Sequence, residues 1–378
     1  MALTVDIHAL QSLPPSNINR DDTGAPKSAV FGGVVRQRVS SQAWKKAIRK
    51  DFDDYLSKED LGTRSKRVVN LVATQVCELD EHYDRQEAEK AAAALFDAAG
   101  IKVTEPKVRE DEDPRLPESG YLLFLSNRQV EQAAQFILNN AGKAPSKKQA
   151  KEILNQRHSI DVAMFGRMVA NAPEYNVDAA VQVAHALGVH ESEPEFDYFT
   201  AVDDEVERGG EETGAGMIGT VQMMSSTLYR FATIDMLSLR DNLGGDDDAA
   251  VTAAVSFLRS FIRSLPTGKI TTFANNTLPE LVFVTVRDDR PVSLVNAFEE
   301  PVSASASLSR RRAAARALAN EARSVNEAYG MPPLASFVLA LGDLGEEMAG
   351  LGTPVVMAEL LEQVTDVVRR ELAREQKA

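Results

Sequence analysis

The sequence predicts a mixed α+β fold. Three observations predict it: strand-like alternation opens the chain, an alanine-rich block with helical period occupies residues 63–190, and two strand-like runs at 195–238 flank an acidic, glycine-rich tip. In chain order, residues 3–10 alternate, with Leu3, Val5 and Ile7 on one side and Thr4, Asp6 and His8 on the other. A loop rich in Pro, Ser, Asn, Asp and Gly follows to about Gly33, and 34–39 reads as a second strand. Ser40 or Ser41 is a good N-cap for a helix over 42–56, whose apolar side is Trp44, Ala47, Ile48, Phe52 and Tyr55.

The block from 63 to 190 predicts helices at 63–78, 85–99, 126–140, 146–158 and 176–187, broken by a charged, Pro-containing stretch at 103–118. The runs EFDYFTAVDD and MIGTVQMMSSTLYRFATIDM around ERGGEETGAG predict a long hairpin. A helix at 247–264, a strand at 281–287, helices near 306–326 and 356–376 and an apolar segment at 334–342 complete the chain. Strand, helix, distant hairpin, helix, strand is an order that suits a ferredoxin-like or RNA-recognition core.

At 378 residues the chain is long enough for two or three domains, and its 44% hydrophobic and 26% charged content is that of a soluble globular protein. The single cysteine, Cys77, excludes an intramolecular disulfide and a Cys-based zinc cluster, and fits a reducing cytoplasm. MALTVDIHAL lacks a basic n-region, and no run approaches the roughly 18 apolar residues of a membrane helix. A cytoplasmic protein without membrane association is expected.

Several motifs have a local reading that fits better than a catalytic one. GAGMIG at 214–219 matches a dinucleotide pattern but lacks the strand before it and the helix after it. GGDDDAA at 244–250 lacks the alternating ligands of a calcium loop and suits the start of a helix. His8, His82, His158, His185 and His190 have no metal-ligand spacing, and no Ser lies in a nucleophile elbow. Asp21 and Asp22 are adjacent carboxylates, able either to hold Mg²⁺ or to shape a turn.

The informative stretch is RVSSQAWKKAIRK, residues 38–50. The chain has a net charge of −14, yet Arg20 to Lys50 holds eight basic residues against two acidic ones. Lys45 and Arg49, four apart, share a helix face with Lys46 and Lys50 beside them. Ser40 and Ser41 stand at the helix N-terminus, where amides and dipole favour an anion, and Arg20 and Lys27 lie in a glycine-containing loop that can fold back to that end. The alternative is a solvated basic helix face; the convergence of hydroxyls, amides and cations favours a phosphate backbone.

The run PSNINRDDTGAPKSAVFGGVVRQRVSSQAWKKAIRK (15–50) closely resembles the CasC family, the backbone subunit of the type I-E CRISPR surveillance complex Cascade. The resemblance continues, in family order, through FGRM (165–168), YFTAVDD (198–204), IGT (218–220), YRFATID (229–235), NLGG (242–245) and NAFE (296–299). It implies a modified RNA-recognition, ferredoxin-like palm (1–57 and 239–378), helical fingers (58–190) and a hairpin thumb with its return strand (191–238). It implies a noncatalytic protein that polymerises head-to-tail along CRISPR RNA, beside other Cascade subunits, and presents the spacer to target DNA. Such a non-closing interface extends along a long RNA.

The resemblance assigns RNA-backbone contacts to Asn19, Arg20, Lys27, Ser40, Gln42, Lys45, Lys46 and Arg49, and wedging against kinked bases to Met168, Phe199 and Ile218. The residues alone would read Met168 and Ile218 as core. No catalytic residue, metal or cofactor is implied. Lys143, Lys147, Lys148 and Lys151 form a basic cluster in the fingers, worth testing against target DNA. Type III relatives place a metal-binding aspartate in a comparable first loop and cut RNA, so the alternative function is a metal-dependent RNA endonuclease using Asp21 or Asp22.

Overall fold

The computed structural model describes residues 2–106, 116–169, 171–201, 217–305 and 308–375. The chain divides into two compact units, one of residues 1–51, 183–233 and 255–378, the other of 52–182 and 234–254. Among the described residues, no helix is long and apolar enough to cross a membrane.

The first unit is built on one large sheet. Its strands are β1 (Thr4–Ser16), β2 (Ser28–Phe31), β3 (Val34–Val39) and later segments named by their residues. Across the sheet the order is Thr353–Pro354, Ala335–Ala340, Leu281–Arg287, β1, Met217–Asp235, Ala186–Gly188, β3, β2. The first strand is therefore internal. It pairs antiparallel with Leu281–Arg287, Thr4 opposite Arg287 and Leu10 opposite Leu281.

β1 alternates as expected, but neither face is open to solvent: Asp6 and His8 are as buried as Ile7. The reason is a second layer. On the side of Leu10, the helix Arg310–Tyr329 supplies Ala314, Ala315, Leu318 and Ala319, and Phe298 and Leu294 pack with them over Phe283 and Tyr229. His8 is a satisfied core histidine, its Nδ1 hydrogen-bonded to Tyr229 Oη at 2.9 Å.

The predicted basic helix is α1, Ser41–Phe52. Trp44, Ile48 and Phe52 are its buried side. The Arg230 guanidinium lies over the Trp44 ring at 3.7 Å and over Phe261 at 4.3 Å, and donates to Gln11 Oε1 at 2.6 Å. The tryptophan is thus the floor of a buried cation site that ties α1 to the return strand.

Two expectations fail locally. Residues 28–31 are not loop but strand, turned back onto β3 through Gly32 (φ +59°) and Gly33 (φ +80°). A Gly-Gly pair is what a two-residue hairpin needs, since both positions take positive φ. The helix expected at 176–187 is absent: Val181–Val183 and Ala186–Gly188 are short strands paired with Met217–Asp235. Alanine and histidine gave that stretch a helical reading, and pairing to a long strand overrides so weak a propensity.

In the second unit, the helices Val68–Leu79, Arg85–Ala98, Asn127–Asn139 and Lys147–Asn155 close over Val72, Val76, Ala92, Leu95, Phe96, Ala134 and Ile137. Ser126 with Gln129, and Ser146 with Gln149, form reciprocal capping boxes. The acidic hairpin tip, with Glu205, Glu207, Glu211 and Glu212, lies outside the described residues, as does most of 103–118. GGDDDAA acts as a helix start, Asp246 Oδ1 accepting from Ala249 N at 2.9 Å.

Candidate nucleic-acid interface

The loop between β1 and β2 holds itself together. Lys27 N donates to Asn19 O and Asp21 N to Ala25 O, both at 2.9 Å, and an isolated bridge joins Arg20 to Pro26. Asp21 Oδ1 accepts from Thr23 N (2.9 Å), Thr23 Oγ1 (2.7 Å) and Ala25 N (3.0 Å). These hydrogen bonds, that of the Thr23 hydroxyl foremost, hold the carboxyl below its ordinary range. Asp21 shapes the turn, while Asp22 is exposed. Arg38 N donates to Lys27 O at 2.9 Å, which pins the far end of the loop to β3.

One carboxamide joins this loop to α1. Asn19 Oδ1 accepts from Ser40 N at 2.8 Å, and Ser40 Oγ in turn accepts from Ala43 N at 3.3 Å as the N-cap. Asn19 and Ser40 thus already brace the protein's own backbone. Beyond them Gln42 and Lys46 are exposed, and Lys45 and Arg49 are half-buried. Burial pushes the Lys45 amine down from its ordinary value. Arg20 is exposed and Lys27 half-buried at the two ends of the loop.

A cavity of about 570 Å³ opens beside Asn19, Arg20, Asp22 and Gly268. Arg38 Nη1 lies 3.0 Å from His185 Nδ1, and burial, then the charges of Arg38 and Lys27, push that imidazole down. Arg36 is different: fully buried, it donates to the carbonyls of Phe31, Gly188, Phe298 and Glu299. Counting charge along the sequence could not separate this structural arginine from its exposed neighbours.

The three residues expected to wedge against bases fall in both units. Met168, in the second, is 81% exposed. Its neighbours are anchored: Arg167 donates to Tyr175 O and Leu154 O, and Val169 N to Asn176 Oδ1. A thioether held out between two fixed residues is not a core side chain. Phe199, in the first unit, is on Glu195–Ala201, paired antiparallel with Met217–Met223. It faces Gly219, where a Cβ would come within 2.3 Å of the ring.

Ile218 pairs with Thr200 through its backbone, and its side chain lies outside the described residues. Sequence reasoning passed over Phe196 and Tyr198, which are 69% and 63% exposed. The signal was there: in EFDYFTA an aromatic stands on each side of a two-residue period with no apolar stripe to bury it. A cavity of about 990 Å³ within the second unit is rimmed by Asp60, Asp178, Asp241 and Asp246, and none of the predicted site residues lines it.

Comparison with known proteins bears on this arrangement. The family model described as CT1975-like protein matches residues 5–363. A chain of a solved "CRISPR RNA-guided surveillance complex, pre-nicking" is 33% identical, with a TM-score of 0.84, over 97% of this chain and 100% of that one. A chain of a second "CRISPR RNA-guided surveillance complex" is 30% identical, with a TM-score of 0.73, over 96% and 99%. Comparison with curated proteins gives no match. With its loop, basic helix and hairpin in an α+β frame shared over nearly the whole length of these chains, the protein belongs to the CT1975-like protein family of CRISPR-associated proteins.

Proposed function

We propose that this protein is a noncatalytic backbone subunit of a type I-E Cascade complex, bound along CRISPR RNA in successive head-to-tail copies. Homology to subunits of CRISPR RNA-guided surveillance complexes supports the backbone role. The observation that carries the RNA reading is the braced loop: Arg20 and Lys27 stand at the ends of a self-bonded turn tied through Asn19 to the helix bearing Lys45, Lys46 and Arg49.

A guide has to be gripped without regard to sequence, by phosphate and sugar, so that its base edges stay open for target DNA. Lysines and arginines on a preorganised turn do this with little ordering cost. Met168, Phe199 and Ile218 would then wedge or stack on a displaced base, contacts that every base offers. The exposed Lys143, Lys148 and Lys151, with Lys147 near Glu174, are candidates for target-DNA contact.

The commitment of Asp21 to its own turn weighs against a cleaving role for the Asp21–Asp22 pair. Reversing Lys45→Glu and Arg49→Glu tests the grip. Affinity should fall for all RNA sequences alike, and the slope of log affinity against log salt should flatten by about 0.7 per lost phosphate contact. A loss confined to certain sequences would contradict backbone binding.

A further inference from the structure

The cation-bearing loop, the root of the hairpin and the turn before Ile270–Phe273 all converge on Asn17 and Ile18. Asn17 is fully buried. Its Nδ2 donates to Gly24 O in the loop at 3.0 Å and to Gln222 O in the return strand at 3.0 Å. Both partners are carbonyl oxygens, so only the amide nitrogen can face them. Gln222 pairs with Phe196, three residues along the strand from Gly219, the partner of Phe199.

Gly268 lies against the same backbone: a Cβ there would come within 2.3 Å of Ile18 O. Among the described residues, the Asn17 Oδ1 has no hydrogen-bond partner. A buried carboxamide left half-unpaired is unfavourable, and an apolar side chain would fill the space without that cost. What an apolar side chain could not do is join two carbonyls from segments about 200 residues apart in the chain.

We propose that Asn17 is a positioning residue that fixes the guide-gripping loop against the hairpin, so that the phosphates held at Arg20 and Lys27 and the base displaced at Phe199 keep a set separation. This rests on the RNA-binding reading above. Its consequence is energetic coupling between Arg20 and Phe199 that passes through Asn17.

The test is a double-mutant cycle of Arg20→Ala and Phe199→Ala, read as affinity for a spacer-length RNA at fixed salt, run with Asn17 intact and again with Asn17→Leu. With Asn17 intact, the joint loss should depart from the product of the single losses by about fivefold; with Asn17→Leu the departure should shrink to less than about twofold. A side chain that only fills the core would lower stability and leave the coupling unchanged. Equal coupling in both backgrounds, or none in the intact protein, overturns the proposal. Where Asn17→Leu does not fold, the smaller Asn17→Ala carries the same cycle. Failure of the underlying reading looks different: the unaltered protein and the Lys45→Glu, Arg49→Glu variant would bind RNA equally weakly and without salt dependence.

Discussion

Asp6 and His8, two residues apart on β1, show how strongly this core penalises charge. Burial holds the Asp6 carboxyl up at about 6, despite Arg287 Nε 3.5 Å away and a hydrogen bond from Val292 N. Desolvation therefore outweighs the ion pair. Burial pushes the His8 imidazole down to about 3, with the Arg287 charge adding to it. The two act on stability with opposite sign. Between pH 4 and 6 the folded state keeps an Asp6 proton that the unfolded chain releases, so this contribution is lost as pH rises to about 6. Between pH 6.5 and 3 the unfolded chain takes a His8 proton that the fold refuses, so stability falls as pH falls through that range. Each is worth about 1.4 kcal/mol per pH unit within its window. Urea unfolding from pH 6 to 4.5 should therefore show Asp6→Asn losing stability toward acid more steeply than the unaltered protein, and His8→Gln less steeply. Parallel curves for all three would mean that neither group titrates as burial requires. Little of this was legible in the sequence. Alternation placed Asp6 and His8 correctly on one face of a strand, but the layer that buries that face comes from Leu294, Phe298 and a helix some 300 residues away. The cations Arg20, Lys27, Lys45, Lys46 and Arg49 were legible because they cluster in an acidic chain, whereas Arg36 in their midst is spent on four backbone carbonyls.

At the scale of elements, the hairpin is the part most open to a decisive substitution. Gly219 stands opposite Phe199, and the ring covers the place where a side chain would be. Gly219→Ala should push the ring aside while leaving the backbone pairing intact, since a strand accepts alanine. The expected result is RNA affinity lowered severalfold with an unfolding midpoint shifted by only a few degrees; unchanged affinity would mean that the Phe199 ring position does not matter to RNA. Elements with a strong local period were readable from sequence. The helices Arg85–Ala98, Asp247–Arg263 and Met357–Glu375 fall within a residue or two of expectation, and so do the strands β3 and Leu281–Arg287. Elements without one were not. Val181–Val183 and Ala186–Gly188 are three residues each, too short to show a period, and are strands because Met217–Asp235 offers them an edge. β2 was missed because SAVF is short and its Gly-Gly turn sat inside a stretch already rich in turn residues.

At the scale of the whole molecule, a net charge of −14 coexists with a concentrated cationic segment. A phosphate backbone responds to local charge rather than to the total. Copies placed along one RNA would bring each segment to successive phosphates, so assembly and RNA binding should be one event, steep in salt. The measurement that tests this most directly uses an end-labelled spacer-length RNA, incubated with the purified protein and Mg²⁺ or Mn²⁺, with one half run on a native gel and the other on a denaturing gel. The account predicts intact RNA in large complexes that shift stepwise as protein is added. A ladder of regularly spaced fragments, abolished by Asp21→Ala or Asp22→Ala, would contradict it and make the protein a nuclease.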